Sequence, residues 1–214
     1  MKIALLGAES TGKSELASQL CKHFRDLGKT VNFIPEHLRT WCEQENRTPR
    51  QDEQPAIATE QIRQIDSASA CDVVLADTTA LTVAVYSDLL FSDTSLYDMA
   101  LVHQRTFDAT LLMGLDLPWV ADGIQRDGAH MREPVDTALR TALARGGIPF
   151  QVVYGTGEAR LQNALRCLNA TFESNENGED GEIQNRPQRL RHWVCERCSD
   201  PVCEHRLFVD LVKK

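Results

Sequence analysis

Apolar residues in the first 172 positions fall into two kinds of pattern. Ile3-Ala4-Leu5-Leu6, Cys71-Asp72-Val73-Val74-Leu75-Ala76-Asp77 and Ala109-Thr110-Leu111-Leu112-Met113 are mostly apolar runs without alternation, as expected of strands buried on both faces of a parallel sheet. Thr30–Ile34 and Phe150–Tyr154 are short, β-branched or aromatic, and read as two further strands. Between them the spacing changes to threes and fours. Leu16, Leu20, Phe24 and Leu27 share one face of a helix that begins at Lys13 and stops at Gly28. Ile57, Ile62 and Ile65 mark a helix from about Ala56 to Ala70, and Thr78 or Thr79 can cap another from about Ala80 to Leu90. Further helices are expected over Leu96–Arg105, over Glu133–Arg145, and from just after Gly155-Thr156-Gly157 to about Phe172, where Leu161, Leu165, Leu168 and Phe172 are in register. Strands alternating with helices predict an α/β fold with a five-stranded parallel sheet and helices on both faces.

Three stretches interrupt this alternation. Residues from about Glu43 to Pro55 are polar and read as a loop that could cover a site. Pro118 to Arg132 has no steady period. From Glu173 to Glu182 the chain carries five acids, two glycines and no apolar side chain, the composition of a disordered linker. The expected organisation is therefore a core over 1–172, a linker over 173–185 and a Cys/His-rich tail over 186–214.

The loop between the first strand and the first helix carries the clearest chemistry. Gly7-Ala8-Glu9-Ser10-Thr11-Gly12-Lys13-Ser14 fits the phosphate-binding pattern G-x-x-x-x-G-K-[ST] in the strand–loop–helix context that pattern requires. Its glycines permit a tight turn whose N–H groups surround phosphate oxygens at a helix N-terminus. Lys13 adds a cation for the β and γ phosphates, and Ser14 a hydroxyl for Mg²⁺, a hard ion that prefers oxygen donors. The expected nucleotide-binding set is Gly7, Glu9, Ser10, Thr11, Gly12, Lys13, Ser14 and Glu15, with ATP and Mg²⁺ as cofactors.

Asp77 closes an apolar strand. It can orient Mg²⁺, or it can cap the following helix. Glu36 follows the second strand, where open α/β sheets bind ligands. It can take a proton from a substrate hydroxyl, or form an ion pair with Arg39. Phosphoryl transfer also needs positive charge over the moving group, which a mobile arginine-bearing lid often supplies. Asp116 to Arg132 has that composition, so Arg126 and Arg132 are the candidate lid cations, a solvated loop being the other reading.

The P-loop, Pro35-Glu36-His37-Leu38-Arg39, Asp77-Thr78-Thr79 and above all Asp116-Leu117-Pro118-Trp119-Val120-Ala121-Asp122-Gly123-Ile124-Gln125-Arg126 resemble the kinase domain of the NadR family, which phosphorylates ribosylnicotinamide with ATP. The resemblance spans about residues 1–172. It implies a P-loop kinase fold and an ATP-binding domain of AAA-like type, with a nucleoside-like substrate opposite the loop. By position it extends to Lys13, Ser14, Asp77 and Arg126. The chain departs from the family pattern at His37-Leu38 and at Thr79, both near the expected acceptor site.

A net charge of -8 argues against general attraction to nucleic acid or to an anionic membrane. No apolar run is long enough to span a bilayer, and a strand starting at Lys2 leaves no room for a signal peptide, so a cytoplasmic location is expected. Seven cysteines in such a compartment read as thiols or metal ligands. Cys195, Cys198, Cys203 and His205 fit a tetrahedral Zn²⁺ set, His192 being an alternative to His205 and reduced, metal-free thiols the other reading. The leading functional expectation is a kinase of nicotinamide riboside or a related nucleoside. The alternative is a nucleotide-dependent ATPase whose tail docks a partner.

Overall fold

A computed structural model describes residues 1–68, 70–120 and 128–176 of the chain. Five parallel strands form one sheet: β1 (Lys2–Leu6), β2 (Val31–Ile34), β3 (Val73–Asp77), β4 (Ala109–Met113) and β5 (Gln151–Val153), in the order β2-β3-β1-β4-β5. The central strands are sealed on both faces. Ile3 to Leu6 are all at 0% exposure, which explains why the sequence shows a continuous apolar run there rather than an alternation.

Helices cover both faces, as the alternation predicts. On one face α1 (Lys13–Asp26) and α7 (Gly157–Glu176) bury Leu16, Leu20, Leu161 and Leu168 against Ile3, Leu5, Leu111 and Met113. On the other lie α3 (Gln54–Ser67), α4 (Ala80–Phe91), α5 (Tyr97–Gln104) and α6 (Arg132–Arg145), which share a core containing Ile57, Leu81, Ala100, Leu139 and Leu112. Helix α4 buries every residue from Ala80 to Val85, because it is packed between its neighbours as well as on the sheet. Its N-cap is Thr79, whose Oγ1 accepts from the Leu81 N–H at 3.2 Å and donates to Gln104 Oε1 at 2.6 Å.

Two expected boundaries change. The polar stretch after β2 is not a continuous loop: α2 occupies His37–Glu45, and a short 3₁₀ turn at Gln51–Glu53 leads directly into α3. Leu38, Trp41 and Cys42 carry the spacing of this helix, but only Cys42 is fully buried, so its apolar signal is thin. Helix α7 continues to Glu176, past Phe172 and into the acidic segment. Among the described residues, no helix is long and apolar enough to cross a membrane.

Candidate active site

Strand order places the phosphate loop at the switch point of the sheet. The connection from β1 leads away to β2, while β3 and β4 flank β1, so a crevice opens above the carboxyl end of β1. Register brings Leu5 opposite Asp77 and Leu6 opposite Leu112. The loop and the carboxylate of β3 are therefore delivered to the same edge by hydrogen bonding in the sheet.

At that edge Ser14 Oγ donates to Asp77 Oδ2 at 2.6 Å. Asp77 is 4% exposed, and its Oδ1 has no partner among the described residues. A buried carboxylate oxygen left unsatisfied is costly, and a hydroxyl with a carboxylate is an oxygen donor pair suited to a hard divalent cation. Ser14 and Asp77 thus fit Mg²⁺. Lys13 Nζ donates to the Gly7 and Ala8 carbonyls at 2.8 and 2.9 Å, so its charge is folded over the loop that would surround a phosphate. Thr11 Oγ1 donates to Ala8 O at 2.7 Å and braces the same turn.

Gly12 has φ +75°, and a Cβ there would come within 2.8 Å of Leu117 Cδ1 and 3.4 Å of Arg160 Nη1. Only glycine fits both the left-handed backbone and this close approach. The residues after β4 are tied to the loop a second time: Ser10 Oγ donates to Val120 O at 2.9 Å and accepts from the Val120 N–H at 3.1 Å.

A cavity of about 650 Å³ extends from the loop toward the other side of the crevice. Its floor includes Gly7, Glu9, Lys13, Ser14 and Glu15, and its far wall is built by Glu36, Leu38 and Arg39 from the start of α2, with Tyr86 and Phe91 from α4. Glu36 is fixed by its neighbours. The Gln61 side chain, 1% exposed, accepts from the His37 N–H at 2.7 Å and donates to Pro35 O at 3.3 Å, clamping the backbone on both sides of Glu36. Thr48, Pro49 and Arg50 close a third side. That turn is held by Arg47, which makes paired bonds to Glu53 at 2.7 Å each and lies over the Trp41 ring at 4.8 Å. The Arg47 bond, followed by the Arg50 backbone N–H, holds the Glu53 carboxyl down to about 2.

The structure thus brings Gly7, Glu9, Ser10, Thr11, Gly12, Lys13, Ser14, Glu15 and Glu36 around one cavity, with Asp77 bonded to Ser14 beneath it. Arg132 is placed elsewhere. It opens α6 and donates to Leu117 O at 2.8 Å, bracing the segment after β4 rather than lining the cavity. Arg126 lies outside the described residues, as do His192, Cys195, Cys198, Cys203 and His205. Among the described residues no cluster of three or more His, Cys, Asp or Glu side chains could hold a metal.

Sequence reasoning missed Arg160. It is 4% exposed in the first turns of α7, and Nη2 donates to Asp116 Oδ1 at 3.1 Å and to Val153 O at 3.4 Å. Burial pushes its guanidinium below the ordinary value, and the Asp116 carboxylate opposes that shift. An arginine at the polar start of a helix gives no sequence signal of burial. Its partner is 44 residues away in the chain.

A glycine-rich loop on the central strand of a parallel sheet in this order, with its serine paired to the carboxylate closing the adjacent strand, defines a nucleotide-binding protein with a P-loop kinase-like fold. The AAA domain family model matches residues 2–160, and the chain belongs to that family. No curated protein sequence matches it. Among solved structures it is similar to the NadR protein in complex with NR, with TM-score 0.59 and 18% identity over 87% of this chain and 52% of that one. A second NadR structure, in complex with NAD and AMP-PNP, matches with TM-score 0.60 and 18% identity, covering 87% of this chain and 51% of that one. The chain thus spans about half the length of these NadR chains. Deoxyadenosine kinase from M. mycoides with bound dATP is similar at TM-score 0.54 and 17% identity, over 79% of this chain and all of that one (100%). At these identities the likeness is one of fold.

Proposed function

We propose that the chain is an ATP-dependent kinase that phosphorylates a hydroxyl of a small nucleoside-like acceptor, nicotinamide riboside or a related nucleoside. The observation that carries this reading is the cavity itself, which a phosphate-binding loop and Glu36, its backbone clamped on both sides, both line. A nucleotide switch needs only the loop. A kinase needs room for a second molecule beside it.

In this reading Glu36 accepts the acceptor's hydroxyl proton, the oxygen attacks the γ-phosphorus, and the bond from that phosphorus to the β–γ bridging oxygen breaks to release ADP. Lys13 turns from the loop carbonyls to the β and γ phosphate oxygens, and Arg126 supplies further positive charge. Ser14 and Asp77 would hold Mg²⁺, which would neutralise phosphate charge when bound. The fold shared with NadR and with deoxyadenosine kinase supports the class of acceptor, as does the NR held in the NadR structure.

The test is incubation with ATP, Mg²⁺ and a panel of ribosides and deoxyribosides, with products separated by chromatography. A monophosphate should form from at least one of them. ATP hydrolysis without any phosphorylated acceptor would favour the alternative, a nucleotide-dependent ATPase with a partner-docking tail. The zinc proposal for Cys195, Cys198, Cys203 and His205 rests on spacing alone. Metal content below ~0.2 zinc per chain, against one for a closed site, would dispose of it.

A further inference from the structure

The carboxylate that pairs with Ser14 is followed at once by a backbone conformation that its residue disfavours. Thr78 has φ +82°, and among the described residues it is the one β-branched side chain held at positive φ. Two heavy atoms on Cβ crowd the backbone there, so such a residue stays in the left-handed region only where its surroundings over-determine it. Thr78 is buried, and its Oγ1 has no hydrogen-bond partner among the described residues. Its own side chain therefore does not hold the conformation.

The hold comes from the backbone before it and the residue after it. The Thr78 N–H donates to Leu5 O at 3.0 Å, continuing the pairing of β3 with β1. Thr79 Oγ1, besides capping α4, donates to Gln104 Oε1 at 2.6 Å, and Gln104 Nε2 donates to Thr110 Oγ1 at 3.0 Å. All three side chains are buried, and they come from the start of α4, the end of α5 and the middle of β4. One buried amide, with both of its polar atoms used, thus ties three elements together.

Asp77 is therefore anchored from both faces of the sheet. Ser14 holds its carboxylate from the α1 side, while Thr79, two residues on, is bonded on the side of α4 and α5. Resting on the reading of Ser14 and Asp77 as the Mg²⁺ pair, we infer that Thr78, Thr79 and Gln104 are positioning residues for that cation. The chain of bonds from Thr79 through Gln104 to Thr110 keeps Thr78 in its disfavoured turn, and the turn fixes the end of β3 so that the Asp77 carboxylate stands where a nucleotide-bound cation meets it. None of the three lines the cavity, so they act through Asp77 and touch no ligand themselves.

The test measures how far Mg²⁺ tightens the binding of a non-hydrolysable ATP analogue to the full chain, by calorimetry with Mg²⁺ and again with a chelator in its place. Neither an acceptor nor turnover is involved. Mg²⁺ should tighten binding to the wild type by about tenfold or more. Gln104→Met, which leaves the Thr79 cap in place, and Thr79→Val should each cut that factor to about threefold or less, with metal-free binding within about twofold of the wild type. Thr79→Ser keeps the hydroxyl and should retain the wild-type factor. Thr78→Gly removes no side-chain hydrogen bond and relieves the disfavoured φ, so it should melt no lower than the wild type and still lose the tightening.

Should the Gln104 and Thr79 variants lose metal-free binding as well, and so fail to fold, Thr78→Gly decides alone. An undiminished factor in folded Gln104→Met or in Thr78→Gly would overturn the inference. So would a Thr78→Gly variant that loses stability together with the tightening, since that is what a purely structural role predicts. A wild type whose nucleotide binding is the same with and without Mg²⁺ would overturn it too, and would remove Ser14 and Asp77 as the cation's ligands. Tightening lost as expected, in a chain that phosphorylates no riboside, would overturn the kinase reading and leave this inference standing.

Discussion

Arg160 Nη2 donates to Asp116 Oδ1 at 3.1 Å, while the other oxygen of Asp116 accepts from the Gly155 N–H at 2.6 Å. One carboxylate therefore joins the segment leaving β4 to the turn leaving β5. Arg160 in turn reaches the phosphate loop, its Nη1 standing 3.4 Å from where a Cβ on Gly12 would be. The pair fixes the base of the segment that follows β4 relative to the loop, and it does so at the cost of a buried charge.

That arrangement predicts an asymmetry between the two partners. Asp116→Ala strands a guanidinium that is 4% exposed, and should lower unfolding free energy by about 3 kcal/mol. Arg160→Met removes the charge and keeps much of the packing, so it should cost about 1–2 kcal/mol. Urea denaturation of both variants measures the difference. Equal losses would mean that the ion pair is not what the segment depends on.

Among the described residues Lys13 Nζ bonds to the Gly7 and Ala8 carbonyls alone, so its loss should be felt in the transition state more than in folding. Lys13→Ala should lower kcat by at least about a hundredfold, equivalent to about 3 kcal/mol, with a melting temperature close to that of the wild type. Initial rates and a thermal scan together decide this. A variant that keeps its rate would remove Lys13 from the chemistry.

The 2.6 Å bond between Ser14 and Asp77 predicts a shared dependence on the divalent cation. Ser14→Ala and Asp77→Asn should each raise the Mg²⁺ concentration needed for half-maximal activity by about tenfold or more, and the double variant should cost less than the product of the two. Mg²⁺ titration of the rate gives the answer. Fully multiplicative effects would show that the two side chains act independently.

Glu53 predicts an acid limb of stability. Its carboxyl lies at about 2, against an ordinary 4.5, because Arg47 and the Arg50 N–H hold the charged form. The unfolded chain therefore binds more protons between those values, and the stabilisation is present above pH 4.5 and lost as the pH falls toward about 2. Glu60, also lowered to about 2 by Arg63 and then Gln64, titrates over the same range. Glu53→Gln should therefore flatten part of the loss in denaturation midpoint between pH 5 and pH 3. Because Glu53 secures the Thr48–Arg50 turn, the same variant should raise KM for the acceptor with little change in kcat. A midpoint profile parallel to that of the wild type would contradict the assignment.

What the sequence determined by itself was whatever neighbouring residues encode. The continuous runs at Ile3–Leu6 and Ala109–Met113 announce buried parallel strands, the Leu16-Leu20-Phe24 stripe announces α1, and the glycine–lysine–serine spacing announces phosphate binding, because each is a repeat or motif contained within about twenty residues. Helix α2 escaped that reading, since with Cys42 alone fully buried its periodic signal is thin. Tertiary structure alone decided which distant groups meet. The sheet register brings Ser14 to Asp77, the start of α2 and the middle of α4 bring Glu36 and Tyr86 to the cavity that the phosphate loop lines, and the ends of β4 and β5 set Arg160 against Asp116. Those pairings depend on strand order and helix packing, which no local spacing carries.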